Sequence, residues 1–339
     1  MAHFLQSPAW ARFQKALGRE VVVRDGDGWH YLAVVEKGTL NSRLYCPYGP
    51  VITRPDALQS ALDSLLAEAK KRRVAFVRIE PTGEVTSEEL ELAGAIRVES
   101  VQPDSTQRVK LDREWDEILK DFKATNRNLH RNYAKKGLSV RSTSNPADIE
   151  ILLELLHGVA KHNQMNPQSD EYLRTQADSL IPQGDGMLYI ADLEGEPIAA
   201  SMIYDDGEVR YYSHAAADYE HRKLSAGTIL VSQMMQDAAE AGRKEFDLYG
   251  VVSPDAPEDH PWRGFSEFKR GFGGYQHDYV GAWEIPVNKV VYRAYRFARS
   301  VVESDVTANV RTGVRGAMGK AKGAAERAKG LVRKVLRRS

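Results

Sequence analysis

Apolar residues line one stretch near the start of the chain, at Phe4, Trp10, Phe13 and Leu17, the last three in steps of three and four. That spacing predicts a short helix over residues 3–18, stopped by Gly18. Alternation takes over in REVVVRDGDGWHYLAVVEKG, which reads as two strands joined at Asp25-Gly26-Asp27-Gly28. Helical spacing returns over 56–73, and VAFVRIEP (74–81) has the continuous apolar character of a buried strand. Residues 114–136 read as one long helix, followed by a strand in GLSVRS. Further on, residues 147–163 carry apolar positions at i, i+3 and i+4. Residues 187–217 divide into a three-stranded meander with turns at Glu194-Gly195 and Asp205-Gly207. A helix over 228–242 and a strand over 245–251 close the series.

Helix, meander, helix, strand thus occurs twice. The reading is an α/β (α+β) fold of two similar tandem domains, with mixed, largely antiparallel sheets flanked by helices. Asn145-Pro146 favours a turn and marks the expected boundary, giving a first domain over 1–144 and a second over 145–280.

Charge changes the picture at the C-terminus. The 339 residues have no net charge, yet residues 306–339 contain ten Lys or Arg and one acid, Glu326, while the other 305 residues carry a net −9. The tail (301–339) has apolar residues at Val310, Val314, Met318, Ala321, Ala325, Ala328, Leu331 and Val335, one helical stripe among basic faces. That pattern fits an amphipathic helix on anionic membrane. RNA is the rival partner, and five glycines between 313 and 330 leave a loose solvated tail as the bland reading. The single cysteine, Cys46, excludes a disulfide framework. With no signal peptide and no apolar run long enough to span a bilayer, the expected location is the cytoplasm, peripheral on the inner face of the plasma membrane where the tail engages it.

Two constellations could carry chemistry. Lys123, Arg127, Arg131 and Lys135 follow at i+4 on the expected helix 114–136, a stripe that repels itself unless solvent or a polyanion such as RNA offsets it. The other is the segment 249–275. Tyr249 and Gly250 end a strand, an acidic loop follows, and Lys269 sits among Phe265, Phe268 and Phe272. Partial desolvation there would let Lys269 stabilise a developing oxyanion; an ordinary surface lysine beside core aromatics is the alternative. Asp255, Glu258, Asp259 and His260 read more simply as a solvated loop than as ligands, so no metal is expected. GxSxG, HExxH, CxxC and Walker A motifs are absent from the sequence. Arg222-Lys223-Leu224-Ser225-Ala226-Gly227 matches the pyrophosphate turn of acetyl-CoA enzymes, but with Ser225 where the first glycine belongs.

In this order, FLQSPAWARF, YCPYGPVI (45–52), NRNLHRNYAKKGLSVR (126–141), FDLYGV (246–251) and FSEFKRGFGGYQHDYVGAWEIP (265–286) resemble the FemABX family of non-ribosomal peptidyltransferases, in its compact FemX-like form. The resemblance runs from about residue 4 to 297 and leaves out the tail. It implies two GNAT-like domains, the first completed by about 281–300, and transfer of an amino acid from aminoacyl-tRNA to a peptidoglycan precursor. Lipid II or UDP-MurNAc-pentapeptide would be the acceptor. It further implies that Phe268 and Lys269 are the catalytic Phe-Lys pair and that Arg12, Tyr172 and Tyr212 contact substrate. Gln168 and His214 stand where relatives can carry arginine and tyrosine; they join Tyr249 as substrate-binding candidates. The stripe Lys123, Arg127, Arg131 and Lys135 gains tRNA as a partner. No cofactor is needed, and a monomer is expected. An acyl-CoA-dependent N-acyltransferase on the same fold is the alternative.

Overall fold

The computed structural model describes residues 2–38, 42–163, 168–297 and 299–300; the basic tail lies outside the described residues. The described chain forms two compact units, one of residues 19–100 with the segment from 280 to 300, the other of residues 2–18 with 101–279.

In the first unit, β1 (Glu20–Gly26) and β2 (Trp29–Lys37) form the expected hairpin, with Gly26 opposite Trp29 and Gly28 at φ 79°. That conformation is open to glycine at little cost. β3 (Ser42–Cys46), β4 (Val51–Ile52), β5 (Phe76–Ile79), β6 (Thr82–Gly83), β7 (Ile96–Val98) and the late strand β15 (Ala282–Pro286) complete a mixed sheet of order β6-β4-β2-β3-β5-β15-β7. Helix α2 (Leu58–Lys71) buries Leu58, Ala61, Leu62, Leu65 and Ala69 in this unit's core, the three-four spacing read from the sequence. The short α3 (Ser87–Leu92) starts from a capping box of Thr86 and Glu89.

The second unit opens with α1 (Pro8–Ala16), capped by Ser7 with Pro8 at its first position. Its seven-stranded sheet has the order β14-β8-β13-β12-β11-β10-β9. The strands are β8 (Ser105–Lys110), β9 (Leu138–Thr143), the meander β10 (Gly186–Leu193), β11 (Glu196–Asp205) and β12 (Val209–Ala217), then β13 (Glu245–Gly250) and β14 (Tyr275–Asp278). Only β12 and β13 run parallel. The helices are α4 (Trp115–Asp121), α5 (Ala124–Asn132), α6 (Ile149–Asn163), α7 (Asp170–Leu180), α8 (Ala226–Glu240) and α9 (Arg263–Arg270). α8 buries Ile229, Leu230, Met234 and Met235 with Ile203 and Phe246 of the sheet.

Two expectations need correcting. The units divide near Ser100, not near Asn145, because β8 pairs with β13 and β14, and α4 packs its Ile118 and Leu119 into the second core. The helix expected over 114–136 is broken. Phe122 and Lys123 take extended conformations (ψ 147° and 142°) between α4 and α5. The physical reason is Phe122, which is 2% exposed and packs edge-on against Trp115 and Phe272. Burying that ring takes precedence over the helical periodicity of the charges.

Candidate active site

β12 and β13 are hydrogen-bonded only from Val209–Tyr211 to Glu245–Asp247. Beyond that they part, and β13 bulges against β8 between Asp247 and Gly250. Tyr249 sits in the bulge at φ 65°, in the left-handed region that side-chain-bearing residues seldom occupy. Gly250 follows because a Cβ there would lie 2.6 Å from the Pro103 side chain. Asp247, fully buried, accepts the Tyr249 N–H at 2.7 Å, Arg108 Nε at 3.1 Å and Thr106 Oγ1 at 3.3 Å. Burial raises its carboxyl pKa, and Arg108 opposes that shift.

α9 faces this strand end with residues at i, i+3 and i+4. Ser266 Oγ accepts the Val252 N–H at 3.0 Å, Lys269 Nζ donates to the Gly250 carbonyl at 2.7 Å, and Arg270 donates to the Val252 carbonyl. Burial lowers the Lys269 pKa to about 8, with Asp247 pulling it back up. Phe268 turns the other way, into the core beside Phe272 (ring centroids 5.3 Å apart). The pair therefore splits. Lys269 is placed at the strand end, while Phe268 anchors its helix. The turn after α9 needs glycine too: Gly274 is at φ 80°, and a Cβ would lie 2.0 Å from the Arg108 carbonyl oxygen.

An aromatic layer covers the same unit's β11 and β12. Tyr204 stacks on Phe4 at 4.7 Å, and its hydroxyl lies 2.7 Å from Gln176 Nε2 and 3.1 Å from His214 Nε2. Burial drops the His214 pKa to about 4, so at neutral pH the ring beside the Tyr204 hydroxyl is uncharged. Tyr172 meets Phe13 edge-on at 5.0 Å; the His3 ring lies 4.8 Å from Tyr211 and 5.7 Å from Tyr249.

Tyr212 does not join this layer. A bulge opposes Met202 to His214 but Ile203 to Tyr212, leaving Ser213 as the extra residue. Tyr212 therefore packs with Ile203 in the helix-side core, and Tyr211 takes the face shared with Tyr204 and His214. Tyr204, Tyr211, Gln176 and His3 went unread in the sequence. Tyr211 could have been found only by placing the bulge, which no residue pattern announces. Arg12 pairs with Asp185, and Gln168 is exposed just ahead of the α7 cap Ser169.

The basic stripe is dispersed by the break between α4 and α5. Arg127 donates to the carbonyls of Lys120 (2.8 Å) and Phe122 (3.0 Å), closing the end of α4. Lys123, Arg131 and Lys135 remain exposed, with Lys135 bonded to Asn132. At the acetyl-CoA-like turn, Ser225 adopts φ 55°, the conformation for which a glycine is suited. Just before it, Asp218 and Glu220 join Glu154 and Glu196, against a single cation, Lys161, in lining a cavity of about 670 Å³. That rim is unfavourable for a polyphosphate. No group of three or more His, Cys, Asp or Glu among the described residues could hold a metal ion, and none of their helices is long and apolar enough to cross a membrane.

Residues 120–270 match the family model described as an acetyltransferase (GNAT) domain. Lipid II:glycine glycyltransferase of Staphylococcus aureus (strain USA300) is 21% identical, covering 85% of this chain and 89% of its own. The protein of the same name from Staphylococcus haemolyticus (strain JCSC1435) is 20% identical, over 69% and 75%. Among solved structures, FemX superposes with a TM-score of 0.74 at 19% identity, covering 86% of this chain and 94% of its own. The C-terminal domain of a putative lysylphosphatidylglycerol synthetase from Agrobacterium fabrum gives 0.58 at 14%, over 84% and 88%. The GNAT-domain match and the glycyltransferase relatives support a transferase of the acyl or aminoacyl class, and the FemX superposition gives its fold. Within that class, the glycyltransferase relatives and the FemX neighbour are consistent with the FemABX family.

Proposed function

We propose that this protein transfers an amino acid from aminoacyl-tRNA to a stem-peptide amine of a peptidoglycan precursor, lipid II or UDP-MurNAc-pentapeptide, building an interpeptide bridge. The observation that carries the reading is Lys269, desolvated and held at the end of β13 where β12 and β13 part. Relatives named lipid II:glycine glycyltransferase support the precursor as acceptor.

The ester of a charged tRNA is already activated. The acceptor amine attacks the ester carbonyl carbon, a C–N bond forms, and negative charge gathers on the carbonyl oxygen. Collapse breaks the C–O bond to the ribose, and the proton lost by the amine ends on the departing ribose oxygen. The chain has to hold both substrates together and answer the transient oxyanion, which is the part of the Lys269 ammonium. Half-buried Tyr172, Tyr249 and neutral His214 offer an aromatic wall with polar edges for the substrate, backed by Tyr204 and Tyr211, which are buried. Lys123, Arg131 and Lys135 are the cations left exposed for the tRNA backbone. The tail would bring the protein, as a monomer, to the cytoplasmic leaflet that holds a lipid-linked acceptor.

The test is label transfer from charged tRNA to lipid II by purified protein. Transfer is expected and RNase should abolish it; RNase-insensitive transfer contradicts the reading. The GNAT-domain match keeps acyl-CoA as a second donor class. The acidic rim at Asp218 and Glu220 weighs against it, and calorimetry should show no acetyl-CoA binding.

A further inference from the structure

Asp247 is completely buried, and the transfer step above gives it no part. Its two oxygens have divided tasks. Oδ2 is fixed to β8, accepting from Arg108 Nε and Thr106 Oγ1. Oδ1 reaches along its own strand to the N–H of Tyr249, the residue forced into the left-handed region. An ion pair alone would need only the first of these. The second bond holds the turn from which the Gly250 carbonyl projects, and that carbonyl is the acceptor for Lys269 Nζ at 2.7 Å.

We propose that Asp247 is a positioning residue for Lys269: anchored to β8 through one oxygen, it holds Tyr249 left-handed through the other and so fixes the carbonyl that seats the lysine. The proposal rests on Lys269 being the cation of the transfer step. The ionisable groups packed around this corner are Arg108 on β8, Glu245, Asp247 and Tyr249 on β13, Tyr211 on β12, His3 ahead of α1, Lys123 at the head of α5, His277 on β14 and Tyr279 after it. Glu267 and Arg270 flank the lysine on its own helix, and Glu267 is engaged by Arg263. Of these, Asp247 is the charge that favours the ammonium form of Lys269 against its burial.

The sign of the pH effect follows. Lys269 acts as a cation, so the rate falls as pH rises through about 8. Removing the Asp247 charge lets the lysine lose its proton earlier, which moves that alkaline limb to lower pH. For Asp247→Asn we expect kcat to fall by about tenfold or more, KM for charged tRNA to stay within about twofold, and the limb to move down. That substitution removes the fully buried one of the two carboxylates paired with Arg108 and leaves Glu245 at 3.3 Å. Should it fail to fold, the double variant Arg108→Gln/Asp247→Asn removes both charges of the pair; its readout is kcat against KM, because losing a cation and an anion act oppositely on the lysine's proton, and an undiminished kcat overturns the proposal. In the single variant, an alkaline limb left in place overturns the proposal whatever happens to kcat, because a merely structural role would lower activity without moving it. Lys269→Met separates the two levels. Wild-type transfer by that variant removes Lys269 from the chemistry, and Asp247 with it. An inactive Lys269→Met beside an unmoved limb sinks only the Asp247 inference.

Discussion

Each unit ties a fully buried carboxylate to an arginine on a neighbouring strand, Glu284 to Arg78 in the first and Asp247 to Arg108 in the second, and these two pairs are built to different ends. In the first unit, Arg78 on β5 places Nε and Nη2 at 3.0 and 2.7 Å from Glu284 Oε1 on β15, and the Tyr292 hydroxyl takes Oε2 at 2.7 Å. Every strong bond of that carboxylate goes to a side chain that is otherwise structural. It fastens a strand from late in the chain to one that formed some 200 residues earlier. In the second unit, Arg108 on β8 meets Asp247 on β13, but the free oxygen goes to the backbone of a left-handed residue beside the candidate catalytic lysine. A buried ion pair adds little net stability over apolar packing, so its justification lies in what it specifies. One pair specifies register; the other specifies the geometry of a strand end.

Breaking each pair should therefore fail differently. The largest effect expected is on stability. Arg78→Met strips buried Glu284 of its closest cation, leaving Arg296 at 3.8 Å and the Tyr292 hydroxyl, and should cost about 3 kcal/mol in denaturant unfolding, with transfer per folded molecule unchanged. Loss of transfer in a fully folded Arg78→Met protein would erase the contrast. Next comes Lys269→Met, which should cut transfer by about 10²–10³ while the protein stays folded, the range for removing one oxyanion-stabilising group. Lys269→Arg should recover part of it if charge, rather than the bond to Gly250, is what matters. The wild-type rate should show an alkaline limb near pH 8, the value to which burial lowers Lys269. A profile flat from pH 7 to 9 would remove the cation from the step. Smaller still, reversing Arg131 and Lys135 to Glu should raise KM for charged tRNA several-fold and flatten its salt dependence. Arg127→Ala should instead cost about 1 kcal/mol of stability, because that side chain is spent on closing α4.

The sequence disclosed what periodicity controls. The hairpin at Asp27-Gly28, the buried stripe of α2 and the meander β10–β12 all follow from alternation or three-four spacing. It concealed what a single buried ring or one extra residue decides. The charge stripe from 123 to 135 is perfectly helical as a pattern, yet Phe122 breaks it. Tyr212 and His214 look like partners two apart, yet the bulge at Ser213 sends them to opposite faces. The division near Ser100 was hidden because the second unit recruits residues 2–18 from the far end of the chain. Lys269 was legible only through its place in an ordered series of segments. Asp247 was not legible as anything but a polar residue between two core positions, Phe246 and Leu248.

The most direct test of the account is transfer of a labelled amino acid from charged tRNA to lipid II, followed with and without RNase and with Lys269→Met beside the wild type. The expected result is label on the precursor that disappears with RNase and falls at least about a hundredfold in the variant. Label that reaches the precursor after RNase treatment, or at the wild-type rate without Lys269, would contradict it.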